Sequence, residues 1–189
     1  LVGLAPGLLR STGTTVVVVP TIALALDQER ATHSTYPATD LPDELAYYGD
    51  RSDGGKERIL QRIRAGTQRV VFTSPEAFVG PLASPLRSLA SSGGLTSVVV
   101  DEAHLIRSWG LDFRPEYQIV GSLVSELRAA AIAAEHDEPH VILMTATLSE
   151  EALRLNETLF HGSSDSVFVG STYLRTELRF LHAHSPTDD

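Results

Sequence analysis

The stretch Ser97-Val-Val-Val-Asp-Glu-Ala-His104 most restricts what this chain can fold into. Val98, Val99 and Val100 follow the turn signal Gly93-Gly94, and three consecutive β-branched residues cannot alternate between a wet and a dry face. They read as a short strand buried on both faces, which implies a parallel sheet covered by helices on each side. Asp101 and Glu102 then stand at the strand's carboxyl end, the edge where open α/β sheets place their ligands. Adjacent carboxylates at such a tip, with a histidine two residues on, suit a site that holds a metal–triphosphate complex and activates a water. Asp101 would hold Mg2+ through its water shell, because Mg2+ takes few carboxylates and keeps several waters. Glu102 would orient and deprotonate the attacking water.

Similar apolar runs recur between helical patterns. Leu1 to Pro6 reads as a first short strand, and Thr14 to Pro20 as a second, followed by a helix from Thr21 to about His33. The polar connection from Ser34 to Asp53 holds one short strand around Leu45-Ala-Tyr-Tyr48 and ends in a turn cluster, Asp50 to Gly55. A helix over about Lys56 to Ala65 follows, with Ile59, Leu60 and Ile63 on one face and Gly66 as its stop. Its Arg58, Arg62 and Arg64 read most simply as a solvated face. Arg69 to Glu76 is a third buried strand, with Ser74 able to cap the next helix and Pro75 at its first position. Pro81 to Ser92 is a helix-and-loop segment, and Tyr117 to about Glu135 a long helix. His136 to His140 is an ordinary surface loop despite its ligand-type residues. Val141 to Thr147 is a further strand, Glu150 to about Leu159 a helix capped by Thr147 or Ser149, and Ser166 to Val169 a last short strand.

At 189 residues and 42% hydrophobic composition the chain can bury one good core. No run is long enough to span a membrane and the amino terminus lacks a signal-peptide pattern, so a soluble location in cytoplasm or nucleoid, or a nucleus, is expected. Without cysteine there is no disulfide or thiolate metal site. The net charge of −9 argues against a broad electrostatic surface for nucleic acid, and leaves room only for a narrow edge of amides, hydroxyls and a few arginines.

Asp101-Glu-Ala-His104 resembles motif II, the Walker B box, of superfamily 2 helicases. The continuation Ser108-Trp109-Gly110, then Asp112-Phe113-Arg114-Pro115-Glu116-Tyr117, resembles the aromatic-rich loop of RecQ-family DNA helicases, which senses single-stranded DNA and couples it to ATP hydrolysis. Pro20-Thr-Ile-Ala-Leu-Ala-Leu-Asp-Gln28 resembles motif Ia and Arg69 to Glu76 the motif Ib region. The resemblance puts Pro20, Thr21, Thr73 and Ser74 on the DNA backbone, and Trp109, Phe113 and Arg114 as reporters of bound DNA. Thr145-Ala146-Thr147 is similar to motif III, which links the nucleotide and nucleic-acid sites through hydroxyls, with His104 in the same relay. Capping alone accounts equally well for Thr21, and for Thr147 or Ser149.

The resemblance implies an α/β domain of the RecA-like kind, a mostly parallel sheet with helices on both faces, over residues 1–180, with 181–189 a tail or linker toward a second motor domain. It implies ATP and Mg2+ as cofactors, DNA as partner, and 3′ to 5′ unwinding by a parent protein. One expected part is missing. The family's phosphate loop, Gly-x-x-x-x-Gly-Lys-Ser/Thr, has no match anywhere, and the join at Pro6-Gly7 marks where it would stand. Two rival readings follow: a non-catalytic DNA-binding or docking module, and a translocating subunit of a restriction or defence complex, against which the aromatic-rich loop argues.

Overall fold

In the computed structural model, residues 13–36, 41–104, 116–146, 149–160 and 167–170 are described. Five strands, β1 (Thr14–Val18), β2 (Ala46–Tyr47), β3 (Val70–Thr73), β4 (Leu95–Val100) and β5 (His140–Leu143), form one sheet in the order β2-β3-β1-β4-β5. Every neighbouring pair is parallel. Among the described residues six helices connect and flank them: α1 (Ile22–Thr35), α2 (Asp53–Arg64), α3 (Pro75–Val79), α4 (Ala83–Ser91), α5 (Glu116–Ala133) and α6 (Glu150–Phe160).

The valine run behaves as its pattern demands: Val98, Val99 and Val100 are each 0% exposed. Their side chains divide between two cores. Val16, Val18, Val71, Val98 and Val100 meet Ile59 and Ile63 of α2, Phe78 of α3, Leu86 of α4 and Val120 to Leu127 of α5. On the opposite face Val17, Val19, Phe72 and Val99 meet Ala25 of α1 together with Leu45. Burying each such valine is worth roughly 1.5–3 kcal/mol, so the two-sided core is the main support of the strand that ends in Asp101.

The helix starts follow from short polar side chains. Thr21, Ser52, Ser74 and Ser149 each accept a hydrogen bond from the backbone N–H three residues on. Of the two candidates ahead of α6, Ser149 serves as cap; Thr147 lies outside the described residues.

Two expectations change and a third is refined. The turn cluster is shorter than its glycines suggest, because Asp53, Gly54 and Gly55 already belong to α2, whose first turn Ser52 caps and whose Gly55 packs close to the Arg51 side chain. Arg58 and Arg64 are exposed, as a solvated face requires, whereas Arg62 is half-buried; Arg58 and Arg62 both bind the Glu44 carboxylate, and Arg64 pairs with Glu57. Val167, Phe168 and Val169 are not a strand but lie 86%, 71% and 91% exposed. An apolar triplet has strand character only when a neighbouring strand pairs with it, and none does so among the described residues. The first strand expected at Leu1 to Pro6, the aromatic-rich loop with Trp109, Phe113 and Arg114, and the segment 173–180 lie outside the described residues.

At the β2 edge, Glu29 of α1 accepts from the amides of Leu45 and Ala46, each at 2.6 Å, and from Arg51 Nη1 at 3.0 Å. The same Arg51 Nη1 donates to the carbonyl of Ala46.

Candidate active site and nucleic-acid edge

Chain order reverses around β1, because β3 and β4 lie on either side of it. With all strands parallel, the segments after β1, β3, β4 and β5 emerge along one sheet edge, and the reversal opens a crevice there. Asp101, Glu102, Thr145 and Ala146 follow β4 and β5, while Pro20, Thr21 and Ser74 follow β1 and β3.

The turn after β4 is stitched between its neighbours. Asp101 N–H donates to Val18 O and Ala103 N–H to Met144 O, both at 2.9 Å, tying the turn to the ends of β1 and β5. Between them Glu102 has φ of 51°, in the left-handed region. That conformation costs a non-glycine residue roughly 1–2 kcal/mol. It is offset locally by Glu102 N–H donating to Asp101 Oδ1 at 2.9 Å.

His104 joins the two strand ends chemically. Its Nδ1 lies 2.9 Å from Thr145 Oγ1 and 3.2 Å from Glu102 Oε2. A single ring nitrogen carries at most one proton, so it serves one of these oxygens as donor at a time. Glu102 Oε2 is shielded from solvent and makes no hydrogen bond of good geometry. The Glu102 side chain as a whole is 38% exposed, so the carboxylate lies at the surface of the crevice with one oxygen turned toward His104. Ala146, next along, is exposed.

The carboxylates therefore fit the metal-and-water end of a nucleotide site. The phosphate end does not fit. Lys56 is the only lysine in the chain, and it sits in the first turn of α2, in the connection between β2 and β3. Its Nζ donates to Gly49 O at 2.9 Å and pairs with Asp53 Oδ1 at 3.2 Å. No other residue supplies the lysine of a phosphate loop.

On the nucleic-acid side, Thr21 is exposed while its Oγ1 accepts from Leu24 N–H at 3.2 Å, and Pro20 beside it is buried. Thr73 is fully buried and its hydroxyl turns toward Ser74 O, so Ser74 is the more accessible hydroxyl of that pair. The backbone link through Met144 O, the left-handed Glu102 and the engagement of Lys56 were not visible in the sequence. The first and last depend on contacts far apart in the chain; the strain at Glu102 has no residue-type signal, since glycine and asparagine are the usual markers of that region.

A parallel sheet with paired carboxylates at the carboxyl end of the strand beside its reversal point is the α/β arrangement of the RecA-like kind. The chain belongs to the DEAD/DEAH box helicase family, whose model matches residues 3–155. Its relatives there are RecQ-type. It is 30% identical over 130 residues to an ATP-dependent DNA helicase Q-like SIM of Arabidopsis thaliana, covering 68% of this chain and 15% of that protein. It is 26% identical over 170 residues to the ATP-dependent DNA helicase RecQ of Pasteurella multocida, covering 89% of this chain and 24% of that protein. The chain thus spans less than a quarter of the length of these relatives. Among solved structures it is similar in fold to the DUF1998 helicase MrfA, with a TM-score of 0.61 at 23% identity over 80% of this chain and 22% of that one. The Pyrococcus furiosus Hef helicase domain gives a TM-score of 0.53 at 21% identity over 83% of this chain and 29% of that one. No helix among the described residues is long and apolar enough to cross a membrane.

Proposed function

We propose that this chain is the first motor domain of a RecQ-like DNA helicase, in which ATP hydrolysis by a longer protein drives movement along single-stranded DNA and unwinding in the 3′ to 5′ direction. The observation that carries the reading is the His104 node, which places Glu102 and Thr145 on one ring nitrogen and so connects the end of β4 with the end of β5. In this role Asp101 is the carboxylate suited to Mg2+ through water, and Glu102 the base. His104, Thr145, Ala146 and Thr147 link that site to the DNA edge at Pro20, Thr21, Thr73 and Ser74. Trp109, Phe113 and Arg114 serve as the DNA-sensing side chains of the aromatic-rich loop. A second RecA-like domain supplies the other wall of the nucleotide site.

Because the phosphate end does not fit, the 189-residue chain alone has negligible ATPase activity. The deciding experiment compares ATP hydrolysis by the longer protein and by this chain, each with and without single-stranded DNA. Stimulation in the former with silence in the latter supports the reading. Silence in both favours the second reading, a non-catalytic DNA-binding module, for which the engagement of the sole lysine by Gly49 and Asp53 is the specific support.

A further inference from the structure

The two margins of the sheet end differently. β2 is buried, and its outward backbone groups are served by Glu29 and Arg51. β5 has no such cover. His140 is exposed and Val141, Ile142 and Leu143 are half-buried, whereas Val98, Val99 and Val100 of the neighbouring strand are fully buried. The direction of the β5 backbone can be read from its end. Met144 N–H donates to Val100 O and Met144 O accepts from Ala103 N–H, each at 2.9 Å, so Met144 turns both groups toward β4 and its neighbouring turn. Strand residues alternate in this respect, which directs the N–H and C=O of Val141 and Leu143 away from the sheet. Among the described residues nothing pairs with them. The apolar triplet Val167 to Val169 does not occupy this margin, since all three side chains remain exposed. Edges of this kind are normally guarded by lysine, another charge or proline. His140-Val-Ile-Leu-Met-Thr-Ala-Thr147 contains no acid, lysine, arginine or proline.

We infer that the free margin of β5 is a pairing surface whose occupant is β5 of a second copy of this chain, antiparallel about a two-fold axis at Ile142. In that register Val141 lies opposite Leu143 of the second copy, and Leu143 opposite its Val141. Both members of each pair direct N–H and C=O across the junction, so four main-chain hydrogen bonds form and neither residue keeps an unpaired outward group. The side chains suit the same register. Ile142, which packs against the core containing Val17 and Val99, meets its own copy on one face. Val141 and Leu143, which pack against the opposite core, meet Leu143 and Val141 on the other. A second copy suits this margin because one short apolar edge supplies matching donors, acceptors and side chains to itself. The pair also closes, since each copy uses its β5 margin once. Its contact is small, which puts it among the weak interfaces. The net charge of −9 on each copy opposes association, so added salt strengthens it. None of the residues assigned to nucleotide or DNA takes part.

The test is sedimentation equilibrium of the chain between about 5 and 500 µM, with amide hydrogen exchange read by NMR at both ends of that range. Expected is a mass rising from one chain toward two. The Val141 and Leu143 amides should exchange about tenfold or more slowly at the upper concentration, while the Ile142 amide, bonded to β4, is slow at both. Val141→Pro removes an outward N–H and leaves the β4 ladder intact, so this variant should stay a monomer throughout. Ile132→Lys, on the exposed side of α5, should associate like the natural chain. The mass of one chain at every concentration overturns the inference, as does growth past two chains or association of a folded Val141→Pro variant. Slow exchange at Val141 and Leu143 that does not depend on concentration assigns the margin to a strand of the same chain, and overturns it as well. Thermal unfolding checks the fold of Val141→Pro; if that variant does not fold, the exchange pattern of the natural chain decides alone.

Discussion

Replacing Glu44 by Gln keeps the shape of the side chain and removes the charge on which α2 depends. The carboxylate accepts from Arg58 Nε at 2.7 Å and from Arg62 Nη2 at 3.0 Å, while its own carbonyl accepts from Arg62 Nη2 at 3.1 Å and from Gln68 Nε2 at 3.0 Å. Only 15% of the Glu44 side chain is exposed, against 23% for Arg62 and 57% for Arg58. The Arg58 contact, largely in water, contributes little to stability. The Arg62 contact, a charge-assisted bond in a mostly enclosed site, is worth about 1.5–3 kcal/mol. Glutamine retains one acceptor and the backbone bonds persist, so the net loss is about 2 kcal/mol. For a domain of this length that lowers Tm by roughly 4–8 °C.

The same site gives the effect a pH signature. The hydrogen bond from Arg58, followed by that from Arg62, outweighs burial and holds the Glu44 carboxyl below the usual glutamate range. A depressed acid stabilises the fold fully above its unfolded value, about pH 4.3, and that contribution disappears as pH falls through the lower folded value. Thermal unfolding by circular dichroism should therefore show Glu44→Gln less stable than the natural chain at neutral pH, with the gap closing in acid. A gap that is absent at neutral pH, or that persists undiminished in acid, refutes the argument.

In the longer protein Glu102→Gln should abolish DNA-stimulated ATP hydrolysis while leaving oligonucleotide binding within about twofold; an active variant removes Glu102 from the role of base. Thr21→Ala should cost about 1 kcal/mol by uncapping α1 and weaken oligonucleotide binding, whereas Thr21→Ser, which keeps the hydroxyl, should restore both; equal binding by all three proteins would make Thr21 a cap and nothing more. Gly13→Ala should unfold the start of β1, because φ is +95° and the new methyl would lie 2.2 Å from Thr96 Cγ2; a soluble variant with unchanged Tm would contradict the placement of that turn.

Much of the frame was legible because it is local. Continuous apolar runs announced β1, β3, β4 and β5, and Thr21, Ser74 with Pro75, and Ser149 announced the helix starts that follow three of them. Gly66, at φ of +67°, marks the end of α2 as its type suggests. What escaped the sequence is what distance in the chain hides. Glu44 reads as one more acid in a polar connection, yet it anchors arginines 14 and 18 residues away. The glycines of Asp53-Gly-Gly55 signal a turn by composition, yet they form the first turn of α2, which Ser52 caps through the Gly55 amide. At the candidate site, the residue types and their order could be read, but the meeting of His104 with both Glu102 and Thr145 depends on β4 and β5 being neighbours, which no local pattern states.

The Glu29–Arg51 arrangement at β2 has a bearing on how the molecule behaves in concentrated solution. An edge strand offers its amides and carbonyls to any passing chain, and growth of the sheet from such an edge is a common route to self-association. Here the carboxylate of Glu29 occupies the Leu45 and Ala46 amides and the guanidinium of Arg51 occupies the Ala46 carbonyl, so two side chains imitate the hydrogen bonds of an additional strand. The ion pair is thereby a molecular full stop, ending the sheet at β2 and making that margin a poor template for aggregation.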